Sequence, residues 1–395
     1  MTGPDKTSTL AGWTVVCASF TLIFGFSAVD HAISPLVESF SVFYGEPLNR
    51  VLWLISTCTA GIVCGILAGP ALLKAGGPDR LARAGAALLV VPLAFFLLGG
   101  RFHGALAARF LFGLGAGMTS TVMWWLTYEG VPRRYYTAMV TVLMAARPMA
   151  VAAGVPLAGY IAYRANWRWA FAVFLVLIIA GGLVLLAALA DKKTEPAPLR
   201  LAGFFSAYRA VLAEPNAILY YGGLMLTRIC YFGFYSMLGI WMIKYYGLDV
   251  SGITLQLTYI GMAETLVNFI IPPVLGMGRR KVFDASVLLS AVLFIAMVYG
   301  ALPLWGSVLL IAGFVMFDRV YTMAGVMAIP EIFPALTDKT ATGNMVTLTS
   351  WIGLAVISAA EGAFLSLERV PAMATALVAC LLVGLACLYR VQPKT

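Results

Sequence analysis

The sequence predicts an all-α membrane protein in which twelve transmembrane helices form two pseudo-symmetric bundles of six. Three observations predict this fold. Of the 395 residues, 62% are hydrophobic and 11% are charged, whereas a soluble domain is about half apolar and about a quarter charged. The apolar residues form separate runs, each long enough to cross about 30 Å of hydrocarbon. Lysine and arginine residues collect on one side of these runs.

Each apolar run is expected to be a helix, because backbone groups in lipid must find their hydrogen-bond partners within the segment. The first run is interpreted as a retained span, since it carries no small-residue cleavage site of the kind that ends a signal peptide. The predicted spans are residues 12–36, 51–73, 81–100, 105–128, 137–160, 169–190, 217–243, 253–276, 285–301, 307–329, 343–365 and 372–389.

The basic residues predict the orientation of the chain. With both termini inside, sixteen lysine and arginine residues lie on the cytoplasmic side and six on the outer side. Short cytoplasmic loops carry such an excess. We therefore expect a multi-pass protein of the cytoplasmic (inner) membrane with both termini cytoplasmic. The net charge of +9 then reflects topology and predicts no nucleic-acid partner.

The longest connection between spans predicts the domain boundaries. Residues 1–190 are expected to form the N-terminal six-helix bundle, 191–216 a cytoplasmic linker and 217–395 the C-terminal six-helix bundle. The linker sequence LAGFFSAYRAVL is expected to contain a short amphipathic helix on the membrane surface.

A weak internal repeat connects the two halves. The sequence EGVP at 129–132 returns as EIFP at 331–334, and Gly76 returns as Gly278, both at an offset of 202 residues. Two related six-span halves are typical of secondary transporters.

Three segments carry a resemblance to a known family. GPALLKAGGPDRLAR (69–83) matches a signature between spans two and three, LAARFLFGLGAG (106–117) a span-four motif and GVPLAG (154–159) a degraded span-five motif. With these segments the chain resembles the major facilitator superfamily over essentially its full length. The resemblance implies a gating loop, in which Leu73 replaces the usual acidic residue. The gating-loop residues that fit the signature are Gly69, Lys74, Gly76 and Arg80.

Arg83 lies three residues from the cytoplasmic end of span 3 and is counted with the cytoplasmic basic residues. Eight other charged residues lie within the predicted spans, at positions where each ionised side chain costs about 2.5–3.5 kcal/mol. None lies in spans 3, 6, 9 or 12, which the resemblance implies are the lipid-facing spans. The eight are Asp30, Arg109, Arg147, Arg228, Glu264, Asp318, Arg319 and Glu361.

Most of these charges are expected near the bilayer midplane, where Arg147, Arg228 and Arg319 outnumber Glu264 and Asp318. This net positive centre predicts an anionic guest. Asp30 and Arg109 are expected nearer the outer surface, as a pair between spans 1 and 4. Expected substrate-binding residues are Arg147, Arg228, Arg319, Tyr231, Tyr235, Glu264 and Asn268, and expected proton-coupling residues are Asp30, Arg109, Glu264 and Asp318. The alternative is that the charges only pair with one another to fix the packing of the helices.

The predicted function is secondary active transport, by alternating access, of an anionic or carboxylate-bearing organic solute, with proton coupling. The alternative is a proton-driven exporter of drugs or amphipathic metabolites, as the motifs of spans four and five suggest. No motif of an enzyme, cofactor or metal site is recognised, so we expect a transporter without cofactor or metal. His31 is expected to be a spectator near the outer surface, and the protein is expected to work as a monomer in the lipid bilayer.

Overall fold

The computed structural model describes residues 6–190, 205–248, 250–300, 302–336, 339–364 and 370–393. Residues 191–204 of the predicted linker lie outside this range, as does the side chain of Glu361. The described residues form helices joined by turns, and no β-strand occurs among them.

The helices are numbered in chain order. The α-helices are α1 (Lys6–His31), α2 (Val37–Tyr44), α3 (Leu48–Val51), α4 (Trp53–Leu98), α5 (Phe102–Trp125), α6 (Tyr136–Met149), α7 (Val155–Arg164), α8 (Trp167–Leu189), α9 (Ser206–Leu212), α10 (Ala217–Tyr246), α11 (Val250–Leu275), α12 (Arg279–Tyr299), α13 (Leu304–Ile332), α14 (Lys339–Phe364) and α15 (Val370–Val391).

Within the described residues, eleven helical segments are long and apolar enough to cross a membrane. The segment Leu48–Leu98 has 51 residues, about twice the length that one crossing needs. It contains the predicted span 51–73 and all but the last two residues of the predicted span 81–100. The backbone of Gly77 inside it is not helical, with φ 78° and ψ 169°, a conformation that glycine adopts without steric penalty.

The direction of the chain reverses at this glycine. Before it, Gly61 approaches Phe110 and Gly69 approaches Thr121, so this part of α4 runs parallel to α5. After it, Gly85 approaches Thr119 while Leu88 approaches Gly115, so the order is antiparallel. Helix α4 therefore crosses the membrane twice, and the prediction of separate second and third spans is confirmed.

The reversal also corrects two sequence interpretations. The segment 69–83, expected to be a loop, is helical on both sides of Gly77. The positive-φ glycine that corresponds to Gly278 (φ 120°) is Gly77, not the predicted Gly76. The repeat between the halves is therefore displaced by one residue at this turn.

Large apolar side chains are exposed on the four spans that contain none of the eight charged residues, as expected for lipid-facing helices. They include Val91 and Phe95 on the second part of α4, Val176 and Leu183 on α8, Leu288 and Val292 on α12, and Leu382 and Val383 on α15.

The chain divides into two compact units. The first comprises Met1–Arg209 and Asp338–Asn344, and the second comprises Ala210–Thr337 and Met345–Thr395. The boundary near residue 210 falls inside the predicted linker 191–216.

Helix α9, in the described part of that linker, is fastened to α4 by one hydrogen bond. Pro70 has no backbone N–H, so the carbonyl of Ile66, four residues earlier, lacks its usual donor within the helix. The hydroxyl of Tyr208 donates to this carbonyl at 2.5 Å, and the Tyr208 side chain is buried. The linker helix therefore satisfies a carbonyl that the proline leaves unbonded.

We expect Tyr208→Phe to lower the stability of the purified protein by about 1 kcal/mol, the usual net value of one hydrogen bond. In a Pro70→Ala background, where residue 70 regains its N–H, the same change is expected to have a smaller effect. Thermal unfolding of the four proteins in detergent measures the coupling between the two sites. Equal effects of Tyr208→Phe in both backgrounds would contradict this role of the proline.

Candidate functional site

The first charge cluster consists of Asp30, His31, Cys58, Arg109 and Arg147. It lies in the first unit, and its members come from α1, α4, α5 and α6. An Nη of Arg109 donates to an Oδ of Asp30 at 3.1 Å, and the Cys58 side chain also hydrogen-bonds Asp30. The predicted pairing of Asp30 with Arg109 between spans 1 and 4 is confirmed.

Arg109 is held in place on every side. Its Nε donates to the carbonyl of Leu54 at 3.2 Å and its second Nη to the carbonyl of Val29 at 3.5 Å. The residue is 1% exposed, and its guanidinium lies over the ring of Phe112. With all three of its nitrogens bonded, this guanidinium joins the end of α1 to the start of α4 around Asp30.

Arg147 occupies a different environment. It lies near the end of α6, just before a π-helical turn over Ala150–Gly154, a distortion frequent at functional sites. Its Nη lies 4.0 Å from Asp30, and 35% of its side chain is exposed. The sequence placed Arg147 at the midplane and Asp30 nearer the surface. In the structure the charged groups of these two residues nevertheless meet, at 4.0 Å.

The second charge cluster lies in the second unit, on three helices. Its members are Arg228, Tyr231 and Tyr235 on α10, Glu264 and Asn268 on α11, and Asp318, Arg319, Tyr321 and Thr322 on α13.

Arg228 and Asp318 form the most buried ion pair of this cluster. One Nη of Arg228 lies 2.6 Å and 2.7 Å from the two oxygens of Asp318 and 3.0 Å from the hydroxyl of Thr322. Asp318 is 0% exposed and accepts a further hydrogen bond from Tyr321 at 2.5 Å, as the i+3 spacing predicted. This ion pair connects α10 to α13.

Glu264 and Arg319 form the other pair, which two tyrosines share. An Nη of Arg319 donates to Glu264 and, at 3.0 Å, to the Tyr231 hydroxyl. Tyr231 and Tyr235 donate to the two Glu264 oxygens at 2.6 Å and 3.1 Å. The Asn268 amide donates to the Glu264 backbone carbonyl at 2.6 Å. The carboxylate of Glu264 is thus surrounded by three donors.

Some buried polar atoms in this cluster have no hydrogen-bond partner within the described part of the chain. They are the Nε atoms of Arg228 and Arg319 and the side-chain oxygen of Asn268. Buried donors and acceptors of this kind usually find a partner in water or in a ligand.

The pairing corrects the expected distribution of charge. The sequence predicted a positive surplus shared by Arg147, Arg228 and Arg319. In the second cluster, however, each arginine binds a carboxylate, so its ionised groups balance. Among the described residues of the two clusters, two guanidinium groups face a single carboxylate in the first cluster and not in the second.

The predicted gating-loop residues lie on both sides of the reversal at Gly77. Gly69 packs against the side chain of Thr121 on α5, and Gly76 is helical and lies beside Arg80. Lys74 and Arg80 are exposed. They are two of the basic side chains near this turn.

Sequence reasoning did not include His31 and Cys58 in the site. Both lie next to the Asp30 carboxylate or its partners. His31 follows Asp30 directly in the sequence near the end of a span, and this adjacency could have indicated that His31 belongs to the site. No pattern in the sequence marks Cys58.

Comparisons with known proteins agree with this architecture. The profile of the Major Facilitator Superfamily matches residues 15–360. No curated protein sequence matches the chain. A bacterial homologue of the iron transporter ferroportin, crystallised in an outward-facing state, superimposes with a TM-score of 0.75 at 12% identity, over 96% of this chain and 98% of its own.

The proton:xylose symporter XylE bound to 6-bromo-6-deoxy-D-glucose superimposes with a TM-score of 0.71 at 14% identity, over 98% of this chain and 97% of its own. At these identities the likeness concerns the fold alone. The family profile, however, matches most of the chain. The chain therefore belongs to the Major Facilitator Superfamily, whose members are membrane transporters working by alternating access and not enzymes.

Proposed function

We propose that this transporter carries an anionic, carboxylate-bearing organic solute and couples its movement to protons. We place it in the cytoplasmic membrane as a monomer with both termini inside. The observation that carries the proposal is the first charge cluster. There the Asp30 carboxylate lies 3.1 Å from Arg109 and 4.0 Å from Arg147, so two guanidinium groups meet one carboxylate. A solute carboxylate balances this excess.

Arg147 is the arginine suited to receive the solute. Arg109 is buried and its three nitrogens all donate to the protein, whereas a third of the Arg147 side chain is exposed. A guanidinium group binds a carboxylate through two parallel hydrogen bonds, a geometry that an ammonium group does not offer.

The second charge cluster offers a related exchange. A solute carboxylate that replaces Glu264 on Arg319 would keep the hydrogen bond from Tyr231, and the rings of Tyr231 and Tyr235 would cover an organic body. Asn268 adds an unpaired oxygen nearby. Arg228, although predicted to bind the solute, is assigned to the structural pair with Asp318.

Protonation of a carboxylate in either cluster would release its arginine, and this is one route by which proton movement would couple to solute exchange. Asp30 and Glu264 are the carboxylates that face a partly exposed arginine in the described structure. Asp318 is fully buried and bonded by Arg228 and Tyr321, so it is the least suited of the three predicted proton acceptors.

The test is a thermal-shift screen of the purified protein, since a ligand stabilises the state that it binds. The panel contains benzoate, lactate and succinate as carboxylates, tetraphenylphosphonium as an amphipathic cation, D-xylose, and ferrous iron. D-xylose and ferrous iron are included because the structural neighbours are a xylose symporter and a homologue of an iron transporter. A carboxylate is expected to raise the unfolding temperature, and a shift by the cation alone would favour the exporter alternative.

We expect Arg147→Gln to weaken binding of the stabilising carboxylate by about tenfold to a hundredfold, the value of one charge-assisted hydrogen bond or two. Arg147→Lys is expected to recover part of the loss, because it restores the charge without the planar fork. Arg164→Gln, at the end of the following helix α7, is the matched control and should bind like the parent. Unchanged affinity of Arg147→Gln would overturn the role of the first charge cluster.

Transport by proteoliposomes, with and without an imposed pH gradient, tests the coupling. Faster carboxylate uptake down a proton gradient is the expected result. Equal rates under both conditions would indicate a uniporter or an anion exchanger, and would contradict the proton-coupled form of the proposal.

A further inference from the structure

His31, which the sequence suggested to be a spectator, makes a directional contact with Arg147. The Nε of Arg147 lies 3.4 Å from the Nε2 of His31. An arginine has five N–H donors and no acceptor, so His31 must accept this hydrogen bond with a lone pair. The imidazole is therefore neutral in this arrangement, with its proton on Nδ1.

The charged and titratable groups that face His31 come from four helices. Asp30 precedes it on α1, Arg109 reaches it from α5 and Arg147 from α6, while Cys58 on α4 hydrogen-bonds the Asp30 carboxylate. With His31 neutral, the formal charge of the two arginines and one aspartate is positive by one. Protonation of His31 raises it by a second unit.

Protonation has a second consequence. A protonated imidazole has N–H donors on both nitrogens, so the contact with Arg147 becomes donor against donor and must break. The Arg147 guanidinium then loses one of its protein acceptors while its surroundings become more positive. Both changes favour the binding of an anion to Arg147.

We propose that His31 takes up the coupled proton and that it binds this proton together with the solute anion. The proposal rests on the proposed function, because it needs an anionic solute at Arg147. A proton and a monovalent carboxylate that bind together leave the net charge of the cluster unchanged. Each ligand must strengthen the binding of the other by the same factor, so solute affinity falls as the pH rises through the titration of His31.

His31 is better suited to this role than Asp30. Asp30 already holds two guanidinium groups, at 3.1 Å and 4.0 Å, and its protonation would leave buried Arg109 without a counter-charge, which is strongly unfavourable. His31 gives up a single hydrogen bond.

The experiment compares the full-length parent, His31→Gln and His103→Gln, with benzoate and lactate as the probes. The chain has two histidines, and His103, exposed at the start of α5, is the matched control. Dissociation constants are measured by calorimetry between pH 5.5 and 8. For the parent and His103→Gln, we expect the constant to rise by up to about tenfold per pH unit, the limit for one linked proton.

For His31→Gln we expect a constant that changes little with pH and equals the parent's value at high pH. The glutamine carbonyl can accept from Arg147, as neutral histidine does, but it takes up no proton. Transport by His31→Gln should likewise lose its response to an imposed pH gradient while carboxylate exchange at equal pH continues.

The outcomes separate the two proposals. If neither probe binds the parent at any pH, the anion proposal fails and this inference fails with it. If the probes bind and His31→Gln keeps the pH dependence of the parent, the anion proposal stands and the role of His31 is overturned. Loss of the pH dependence in His103→Gln would also overturn it.

Discussion

Arg228→Ala is expected to prevent accumulation of stable, folded protein. It removes the guanidinium that binds both oxygens of Asp318, at 2.6 Å and 2.7 Å, and leaves a carboxylate that is 0% exposed without its ion-pair partner. Removing one partner of a buried ion pair destabilises a protein by about 3–5 kcal/mol, a large part of the about 5–15 kcal/mol that holds a typical protein folded. Size-exclusion chromatography and the unfolding temperature in detergent measure the loss.

Two further variants make this result interpretable. Arg50→Ala breaks the ion pair between Arg50 and Glu46. The Arg50 side chain is 54% exposed, so this change should alter stability by less than about 1 kcal/mol. The double variant Arg228→Met with Asp318→Leu replaces both charges by apolar groups and should recover the folded protein. If Arg228→Ala is as stable as Arg50→Ala, the pair is not maintained in the membrane.

The double variant also decides between two roles for Arg228. If Arg228 and Asp318 only hold α10 against α13, the folded double variant should bind benzoate like the parent. If the double variant folds and binding is lost, Arg228 contacts the solute, as the sequence suggested. The assignment of Arg228 to the structural pair is then wrong.

From the sequence, the charged residues of the two clusters could be identified more reliably than the partners that each of them binds. Charged residues inside spans are rare, so their positions could be read directly, and the Asp30–Arg109 and Asp318–Tyr321 contacts followed from depth and helical spacing. The partners of Arg228 and Arg319 did not follow. Helical periodicity gives the face on which a side chain lies, but not which other helix packs against that face.

The fold was predictable in the same sense. Apolar length gave the spans, including the two that α4 contains. It did not reveal that the connection between these two spans is reduced to Gly77, because a hydropathy window averages over many residues and a reversal at one glycine leaves the average unchanged. The π-helical turn after Arg147 was likewise invisible to such a window.

A glycine repeat on α4 was a signal that the sequence analysis did not use. Gly61, Gly65 and Gly69 are spaced by four residues and line one face of the helix. This face packs against the α5 backbone at Phe110 and Leu114 and, through Gly65, at Gly117. Small residues at this spacing let two membrane helices approach until their backbones touch. Gly113 and Gly117 belong to the span-four motif at 106–117, but the residues against which they pack could be identified only from the structure.

Gly113→Ala is expected to be strongly destabilising. A Cβ at this position would lie 2.1 Å from the backbone carbonyl oxygen of Cys58 and 3.0 Å from the backbone nitrogen of Ile62. Backbone atoms cannot rotate away as a side chain does, so the two helices must separate. Overpacking of this kind costs about 1–3 kcal/mol and sometimes more. The unfolding temperature in detergent and the yield of monodisperse protein measure the effect.

Gly222→Ala on α10 is the matched control, with the opposite expected sign. A Cβ at Gly222 meets nothing within 4 Å, and alanine is favoured over glycine inside a helix by up to about 1 kcal/mol. Stability should therefore be equal to or above that of the parent. If Gly113→Ala and Gly222→Ala have the same stability, α4 and α5 do not pack backbone to backbone.

The position of Gly113 connects this packing to the proposed transport site. Its neighbour Cys58 hydrogen-bonds Asp30. The carbonyl of Leu54, one turn earlier on α4, accepts a hydrogen bond from the Nε of Arg109 at 3.2 Å. A shift of α4 away from α5 pulls both groups out of the first charge cluster. Any Gly113→Ala protein that still folds should therefore bind benzoate more weakly than Gly222→Ala. Parent-like affinity in that variant would mean that Asp30 and Arg109 keep their geometry without the support of α4.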